Sequence, residues 1–220
     1  MGIAEGVACM EIITGIKKER GRFRITISDS EELLVPVSLF HEQPLQEGQE
    51  IDLEDYDNWL MVRQYRFALD RAVGYLADRA RSKREIEQKL LQAGYRPCTV
   101  EMVIYKLSRE NLLDDADFAR QWVESRSGHK LGKNRIAQEL RRKGITQEEA
   151  EEALSAIDEE DQLASAIALA EKAAARLKPD EDLRKAANRI AGMLARRGFS
   201  WDIAKQAIQQ ALSDNIVNFD

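Results

Sequence analysis

Apolar positions in this chain recur in three similar stretches. An Ile, a Leu four positions later and a Gly four positions after that occur as Ile86–Leu90–Gly94, Ile136–Leu140–Gly144 and Ile190–Leu194–Gly198. The three glycines are 50 and 54 residues apart. Two apolar residues four apart lie on one face of a helix, and a Gly at the helix end suits a left-handed cap. The pattern therefore predicts three equivalent helices, each of which buries one face and stops at its Gly.

Helical periodicity continues on both sides of each copy and predicts units of three helices. A helix over roughly residues 55–80 leads into the first unit. Repetition at a fixed period is typical of tandem arrays, which are elongated and often bind partners with a shared surface. The predicted organisation is a helical connector at 54–65, repeats at 66–111, 112–160 and 161–212, and a frayed tail at 213–220.

Polar residues mark several predicted helix starts. Ser82 with Glu85 and Thr146 with Glu149 have the spacing of capping boxes. Thr99 is expected to cap the third helix of the first repeat, and Ser200 that of the last. Breaks between helices are expected at residues 127–132 and 178–180.

The first 53 residues have a different period. Phe23, Ile25 and Ile27 alternate with polar residues, as in a half-buried strand. Gly21 suits a hairpin loop, Pro36 suits an edge strand, and residues 47–49 suggest a turn. The predicted fold class is therefore mainly α, a tandem array of three three-helix repeats behind a small antiparallel β N-terminal domain.

The amino-acid composition excludes some classes of protein. Charged residues make up 33% of the chain and aromatic residues only 6%, which favours solvated helices. No apolar run is long enough for a transmembrane helix, and the N-terminus lacks the basic region of a signal peptide. Cys9 and Cys98 follow no pairing or ligand pattern. We expect two reduced thiols in a cytoplasmic protein that does not bind membranes.

The net charge of −6 hides an alternation in sign along the chain. Residues 61–143 hold 19 basic and 11 acidic residues, whereas residues 144–182 hold 3 basic and 12 acidic residues. Residues 1–60 are also acidic, and residues 183–220 are mildly basic. Because local fields govern encounter, the overall acidity does not exclude a nucleic-acid partner.

Catalytic and metal-binding motifs are weak. The two histidines, His41 and His129, have no Cys or carboxylate at ligand or triad spacing. The stretch 128–134 resembles a phosphate loop but is one residue short and has Asn134 where magnesium binding needs Ser or Thr. We therefore expect no enzyme activity, no metal and no cofactor.

Basic residues recur at matched offsets before the repeated glycines. Two positions before the Gly stand Gln92, Arg142 and Arg196, about 200° around the helix from the buried Leu. These could be ordinary solvated charges, or a contact surface for phosphate or for an acidic protein groove. The candidate partner-binding or DNA-binding residues are Lys83, Arg84, Lys133, Arg135, Arg142, Lys143, Arg189, Arg196 and Arg197.

The second repeat resembles the central signature of the RecX regulatory proteins. Residues 112–119 read Leu-Leu-Asp-Asp-x-x-Phe-Ala, and residues 132–145 carry Gly-Lys-x-Arg-Ile-x-Gln-Glu-Leu-Arg-x-Lys-Gly-Ile. Residues 82–95 are similar to the family's first repeat, and residues 196–199 fit its C-terminal copy. Glu85 and Gln92 depart from the basic pattern in the first repeat.

The resemblance implies a curved, right-handed array that acts as a monomer without catalysis. It implies binding in the groove of the RecA recombinase filament on DNA, with inhibition of filament extension, strand exchange and RecA-linked ATP hydrolysis. DNA repair, homologous recombination and the SOS response would be the processes affected, and DNA could be contacted directly or through the filament. Two alternatives stay open: an autonomous DNA-binding helical-repeat protein, and a peptide-binding scaffold.

Overall fold

Four strands and ten helices account for the regular structure in the computed structural model, which describes residues 10–28, 31–178 and 181–216. The chain divides into two units, Met1–Asp114 and Asp115–Asp220. The predicted break at Pro179 lies outside the described residues, as do Cys9 and residues 217–220 of the expected tail.

The first unit begins with an antiparallel sheet. Its strands are β1 (Met10–Glu19), β2 (Arg22–Ile27), β3 (Glu32–Pro36) and β4 (Glu50–Asp52), in the order β3-β2-β1-β4. Gly21, at a φ of +86°, makes the turn between β1 and β2. Pro36 ends an edge strand, where its missing N–H leaves no gap in the ladder. The predicted antiparallel domain is confirmed.

Two helices complete the core of the sheet. The first, α1 (Val37–Glu42), was not predicted, and it buries Leu39 in one core with Ile13 and Ile25. The second, α2 (Leu53–Asp78), is capped by Asp52, whose carboxylate accepts hydrogen bonds from the amides of Glu54 and Asp55. Its N-terminal half packs on the sheet and its C-terminal half packs in the first repeat. The residues expected to form a connector are thus part of one continuous helix.

The first repeat adds α3 (Lys83–Gln92) and α4 (Pro97–Arg109) to α2. The capping box of Ser82 and Glu85 is present as predicted. The prediction that Thr99 caps α4 is wrong, because Arg96 is the N-cap and Pro97 occupies the first helical position. Pro suits that position, since its missing N–H would have no helical partner there. Thr99 is instead buried, and its hydroxyl donates to Gln64 Oε1 at 3.3 Å.

The second unit contains two further groups of three helices. Thr146 and Glu149 form the predicted capping box, and Ser200 Oγ accepts the amide of Ile203 at 3.3 Å. Each group of helices has its own apolar core, as three repeats require. The helices are α5 (Asp115–Gly128), α6 (Lys133–Arg142), α7 (Gln147–Ser155), α8 (Glu159–Ala174), α9 (Leu183–Arg196) and α10 (Trp201–Ile216).

The repeated glycines end α3, α6 and α9 in the same way. Gly94, Gly144 and Gly198 have φ values of +91°, +83° and +87°. In each case the amide after the Gly donates to the carbonyl of the buried Leu, at 3.2 Å. This is the Schellman arrangement, in which a left-handed residue satisfies carbonyls that the helix end leaves free. The predicted caps are confirmed.

Candidate partner-binding surface

In the second unit, the C-terminal end of α9 meets the N-terminal end of α6. The Gly132 amide donates to the Arg197 carbonyl at 2.9 Å, and the Asn134 amide donates to the Gly198 carbonyl at 3.1 Å. Free carbonyls at one helix end therefore satisfy free amides at another. The junction brings Arg196 and Arg197 close to the basic residues at the start of α6.

Two glycines allow this close approach. A Cβ added to Gly132 would lie 2.3 Å from the carbonyl carbon of Gly198. A Cβ added to Gly198 would lie 2.2 Å from the amide nitrogen of Arg135. Neither distance is compatible with a side chain, so the backbones of two repeats touch here without intervening atoms.

A buried amide side chain fixes the start of α6. Gln162, on α8, is only 3% exposed. Its Oε1 accepts the amide of Lys133 at 3.1 Å, and its Nε2 donates to the carbonyl of Leu131 at 3.4 Å. Since buried amides are costly to leave unpaired, these bonds hold α6 in a defined position against the third repeat.

The junction places seven of the nine candidate residues on two connected helices and their caps. Arg142, Arg189 and Arg196 are exposed, and the other four are partly exposed. Arg189 forms an ion pair with Glu181 at 3.0 Å. Arg142 and Arg196 have no ion pair within the described part of the chain. The seven residues, called the α6–α9 basic surface below, are Lys133, Arg135, Arg142, Lys143, Arg189, Arg196 and Arg197.

A carboxylate and an aromatic ring organise one part of this surface. Glu139 Oε1 lies 3.4 Å from Arg135 Nε, and Oε2 lies 3.0 Å from Arg126 Nε. The indole N–H of Trp122 donates to the same Oε2 at 3.2 Å. The Trp122 ring has the Arg126 guanidinium 4.1 Å from its centre and the Lys143 ammonium at 4.0 Å. Both distances are typical of cation–π contacts.

The remaining two candidates, Lys83 and Arg84, lie in the first unit at the start of α3. Arg84 is exposed and Lys83 is partly exposed. Glu85 precedes Gly94 by nine positions, as Arg135 precedes Gly144. It forms an ion pair with Arg79 at 2.9 Å. The basic pattern on α3 is therefore weaker than that on α6, as the departure at Glu85 indicated.

Sequence reasoning missed Arg126 as a member of the cluster. Its position on α5 has no fixed offset from the repeated glycines, and it meets Glu139 only when α5 packs on α6. Trp122 stacks on Phe118 of the same helix, with ring centres 5.7 Å apart. The contact of Trp122 with two cations gave no signal in the sequence.

The surface offers charge and hydrogen-bond donors. Over residues 10–28, 31–178 and 181–216, no group of three His, Cys, Asp or Glu side chains is placed to hold a metal ion. The same residues include no helix with the length and apolar character needed to cross a bilayer. Guanidinium groups on helices are suited to bidentate contacts with phosphates or carboxylates.

Comparisons with known proteins agree with the repeat organisation. Family models for the first, second and third three-helix domains of RecX match residues 68–107, 114–154 and 159–208. A protein of Prosthecochloris aestuarii named regulatory protein RecX is 38% identical over 154 residues, covering 70% of this chain and 96% of the relative. One from Clostridioides difficile, with the same name, is 31% identical over 215 residues, covering 96% of this chain and 98% of the relative.

Solved structures give the same result. A crystal structure of RecX from Lactobacillus salivarius has a TM-score of 0.62 and 29% identity, covering 67% of this chain and 96% of that one. A crystal structure of regulatory protein RecX has a TM-score of 0.62 and 26% identity, covering 93% and 99% of the two chains. With three repeat models matched in order and relatives covered almost completely, the chain belongs to the RecX family of regulatory proteins.

Proposed function

We propose that this protein binds the RecA recombinase filament on DNA and inhibits its extension, strand exchange and ATP hydrolysis. It thereby modulates recombination and DNA repair in the cytoplasm, and it catalyses no reaction of its own. The observation that carries the proposal is the α6–α9 basic surface, presented by a chain whose relatives are named as regulatory proteins.

The geometry supports binding to a groove lined with anionic groups. Two helices joined end to end present cations whose backbones are fixed by buried bonds, so little order is lost on binding. Hydrogen bonds to charged groups contribute roughly 1.5–3 kcal/mol each. A few such contacts to phosphates or acidic side chains give an affinity suited to reversible regulation.

Acidic residues in the first turns of two helices of the same unit favour binding to a protein filament over binding to naked DNA. The first turn of α7 contains Glu148 and Glu149, and that of α8 contains Glu159, Glu160 and Asp161. These carboxylates belong to the same unit as the basic surface and oppose association with a uniformly negative duplex. A protein groove with charges of both signs accommodates them.

The direct test is RecA-driven ATP hydrolysis on single-stranded DNA with increasing amounts of this protein. The proposal predicts that turnover falls and that the protein co-sediments with the filament. Unchanged turnover at a several-fold excess, together with no co-sedimentation, would reject it.

Direct DNA binding is the competing function, because the same cations could contact phosphates. That function predicts tight binding to naked duplex, with log affinity falling steeply against log salt concentration. Our proposal predicts weak binding to naked duplex and stronger binding to the RecA-coated strand under identical buffer conditions. Equal affinities for the two would favour the autonomous DNA-binding protein.

A further inference from the structure

Glu139 is an acidic residue at the centre of a basic surface. Its side chain is 18% exposed, and it contacts Trp122 and two arginines through both carboxylate oxygens. A negative charge here reduces the attraction of the surface for an anionic partner. Its position therefore requires an explanation beyond surface charge.

The explanation lies in which arginine atoms the carboxylate holds. Arg126 and Arg135 both approach Glu139 with Nε, at 3.0 Å and 3.4 Å. Among the described residues, no side chain or carbonyl accepts a hydrogen bond from the terminal Nη groups of these two arginines. The side chains are 31% and 39% exposed. The contacts with Glu139 are ion pairs rather than hydrogen bonds, since the buried Arg126 Nε has no hydrogen-bond partner in the part of the chain that the structure describes. Each guanidinium thus faces Glu139 with its inner edge, while its outer edge stays available for a second anion.

Trp122 fixes the carboxylate and the cations together. Its indole N–H donates to Glu139 Oε2, and the Arg126 guanidinium and the Lys143 ammonium lie 4.1 Å and 4.0 Å from the centre of its ring. The ring also stacks on the buried Phe118, at an angle of 22° between the ring planes. Because the indole is held by the core of the second repeat, the cations beside it have few alternative rotamers.

We propose that Glu139 is a positioning residue for partner binding, and that Arg126 belongs to the binding surface together with Arg135 and Lys143. This inference rests on the proposed function, because the partner is the anionic groove of the RecA filament on DNA. Glu139 touches no partner group itself. It holds two guanidinium groups in the orientation that bidentate contacts with carboxylate or phosphate need.

The proposal makes a prediction opposite in sign to that of simple electrostatics. Glu139→Gln removes a negative charge, so charge alone predicts tighter binding to a polyanion. If Glu139 positions the arginines, the variant should instead bind more weakly. Losing one charge-assisted hydrogen bond to the partner corresponds to about a tenfold loss of affinity. The matched control is Glu152→Gln, which makes the same charge change at an exposed position on α7.

The experiment measures the affinity of each variant for the RecA filament on single-stranded DNA, by fluorescence anisotropy at one salt concentration. We expect Glu139→Gln to bind about tenfold more weakly than Glu152→Gln. Binding equal to or tighter than that of the control would overturn the proposal. If Glu139→Gln does not fold, Arg126→Lys takes its place. Lysine keeps the positive charge but lacks the planar guanidinium that can donate two parallel hydrogen bonds. Unchanged binding of Arg126→Lys would then overturn the proposal.

A measurement on the free protein separates this inference from the proposed function. In proton–nitrogen NMR spectra, the Nε–H signals of Arg126 and Arg135 should change chemical shift between the wild-type protein and Glu139→Gln, because the neighbouring charge is removed and the side chains reorient. If the wild-type protein does not bind the filament, the proposed function fails. If the Nε–H chemical shifts of both arginines are the same in the two proteins, the positioning role of Glu139 fails.

Discussion

The Gly132 amide donates to the Arg197 carbonyl over 2.9 Å, so the second helices of two successive repeats are joined end to end. The joint is made by backbone atoms, whose own helices leave them without partners. It places the side chains around it with little dependence on rotamer choice. The α6–α9 basic surface follows from this contact.

The joint predicts a severe effect of Gly198→Ala. The added Cβ would meet Arg135 N at 2.2 Å, and the φ of +87° is strained for any residue with a side chain. We expect the second unit to lose about 2–4 kcal/mol of unfolding free energy. Urea unfolding followed by circular dichroism measures this loss.

Gly128→Ala is the matched control. No atom lies within 4 Å of a Cβ built at this position, and the residue ends α5. We expect a change within about 0.5 kcal/mol, as is usual for an unstrained surface substitution. Equal losses for the two variants would contradict the close approach at the joint.

Thr146 is predicted to stabilise α7 through its hydroxyl. Its Oγ1 accepts the amide of Glu149 at 3.3 Å and completes the capping box. Thr146→Ala should lower the free energy of unfolding by about 1 kcal/mol, whereas Thr146→Ser should keep most of it. Thermal unfolding of the three proteins side by side checks the order; an unaffected Ala variant would show that the cap contributes nothing.

Glu19 predicts a pH dependence in the sheet of the first unit. Hydrogen bonds from Arg24 and Arg22 lower the pKa of Glu19 from 4.5 to about 2. A depressed pKa means that the stabilisation is complete above the unfolded value and is lost as pH falls through the folded value. The contribution should therefore be full above pH 4.5 and disappear toward pH 2.

Glu19→Gln isolates this effect. Near neutral pH the variant should unfold at a lower urea concentration than the wild-type protein, and the difference should shrink as pH falls below 4.5. A difference that stays constant across that range would show that the two arginines do not hold the carboxylate in its charged form.

Local patterns predicted much of the helical fold. The caps at Gly94, Gly144 and Gly198 follow from a left-handed residue placed after a buried Leu, and all of their bonds lie within six residues. The wrong prediction of Thr99 as a helix cap could have been corrected from the local sequence. Pro97 lies two residues before Thr99, and proline is common in the first turn of a helix. α1 could not be found this way, since its six residues bury one side chain, Leu39.

Fewer residues of the candidate surface could be predicted from the sequence. Offsets from the glycines identified Arg142 and Arg196, because equivalent helices expose equivalent positions. Arg126 and Trp122 required the packing of α5 on α6, which brings Glu139 to residues 13 and 17 positions earlier in the chain. The end-to-end joint of α6 and α9 is likewise a tertiary contact between residues 65 positions apart.

A double variant, Arg142→Glu with Arg196→Glu, tests the proposed partner contact most directly. The measurement is its affinity for the RecA filament on single-stranded DNA. Neither arginine has an ion pair among the described residues, so stability should change by no more than about 0.5 kcal/mol for each. Lys205→Glu, an exposed charge reversal on α10, is the control. We predict at least about a hundredfold loss of affinity for the double variant and little loss for the control. Wild-type affinity in a folded double variant would contradict the assignment of the α6–α9 basic surface as the partner contact.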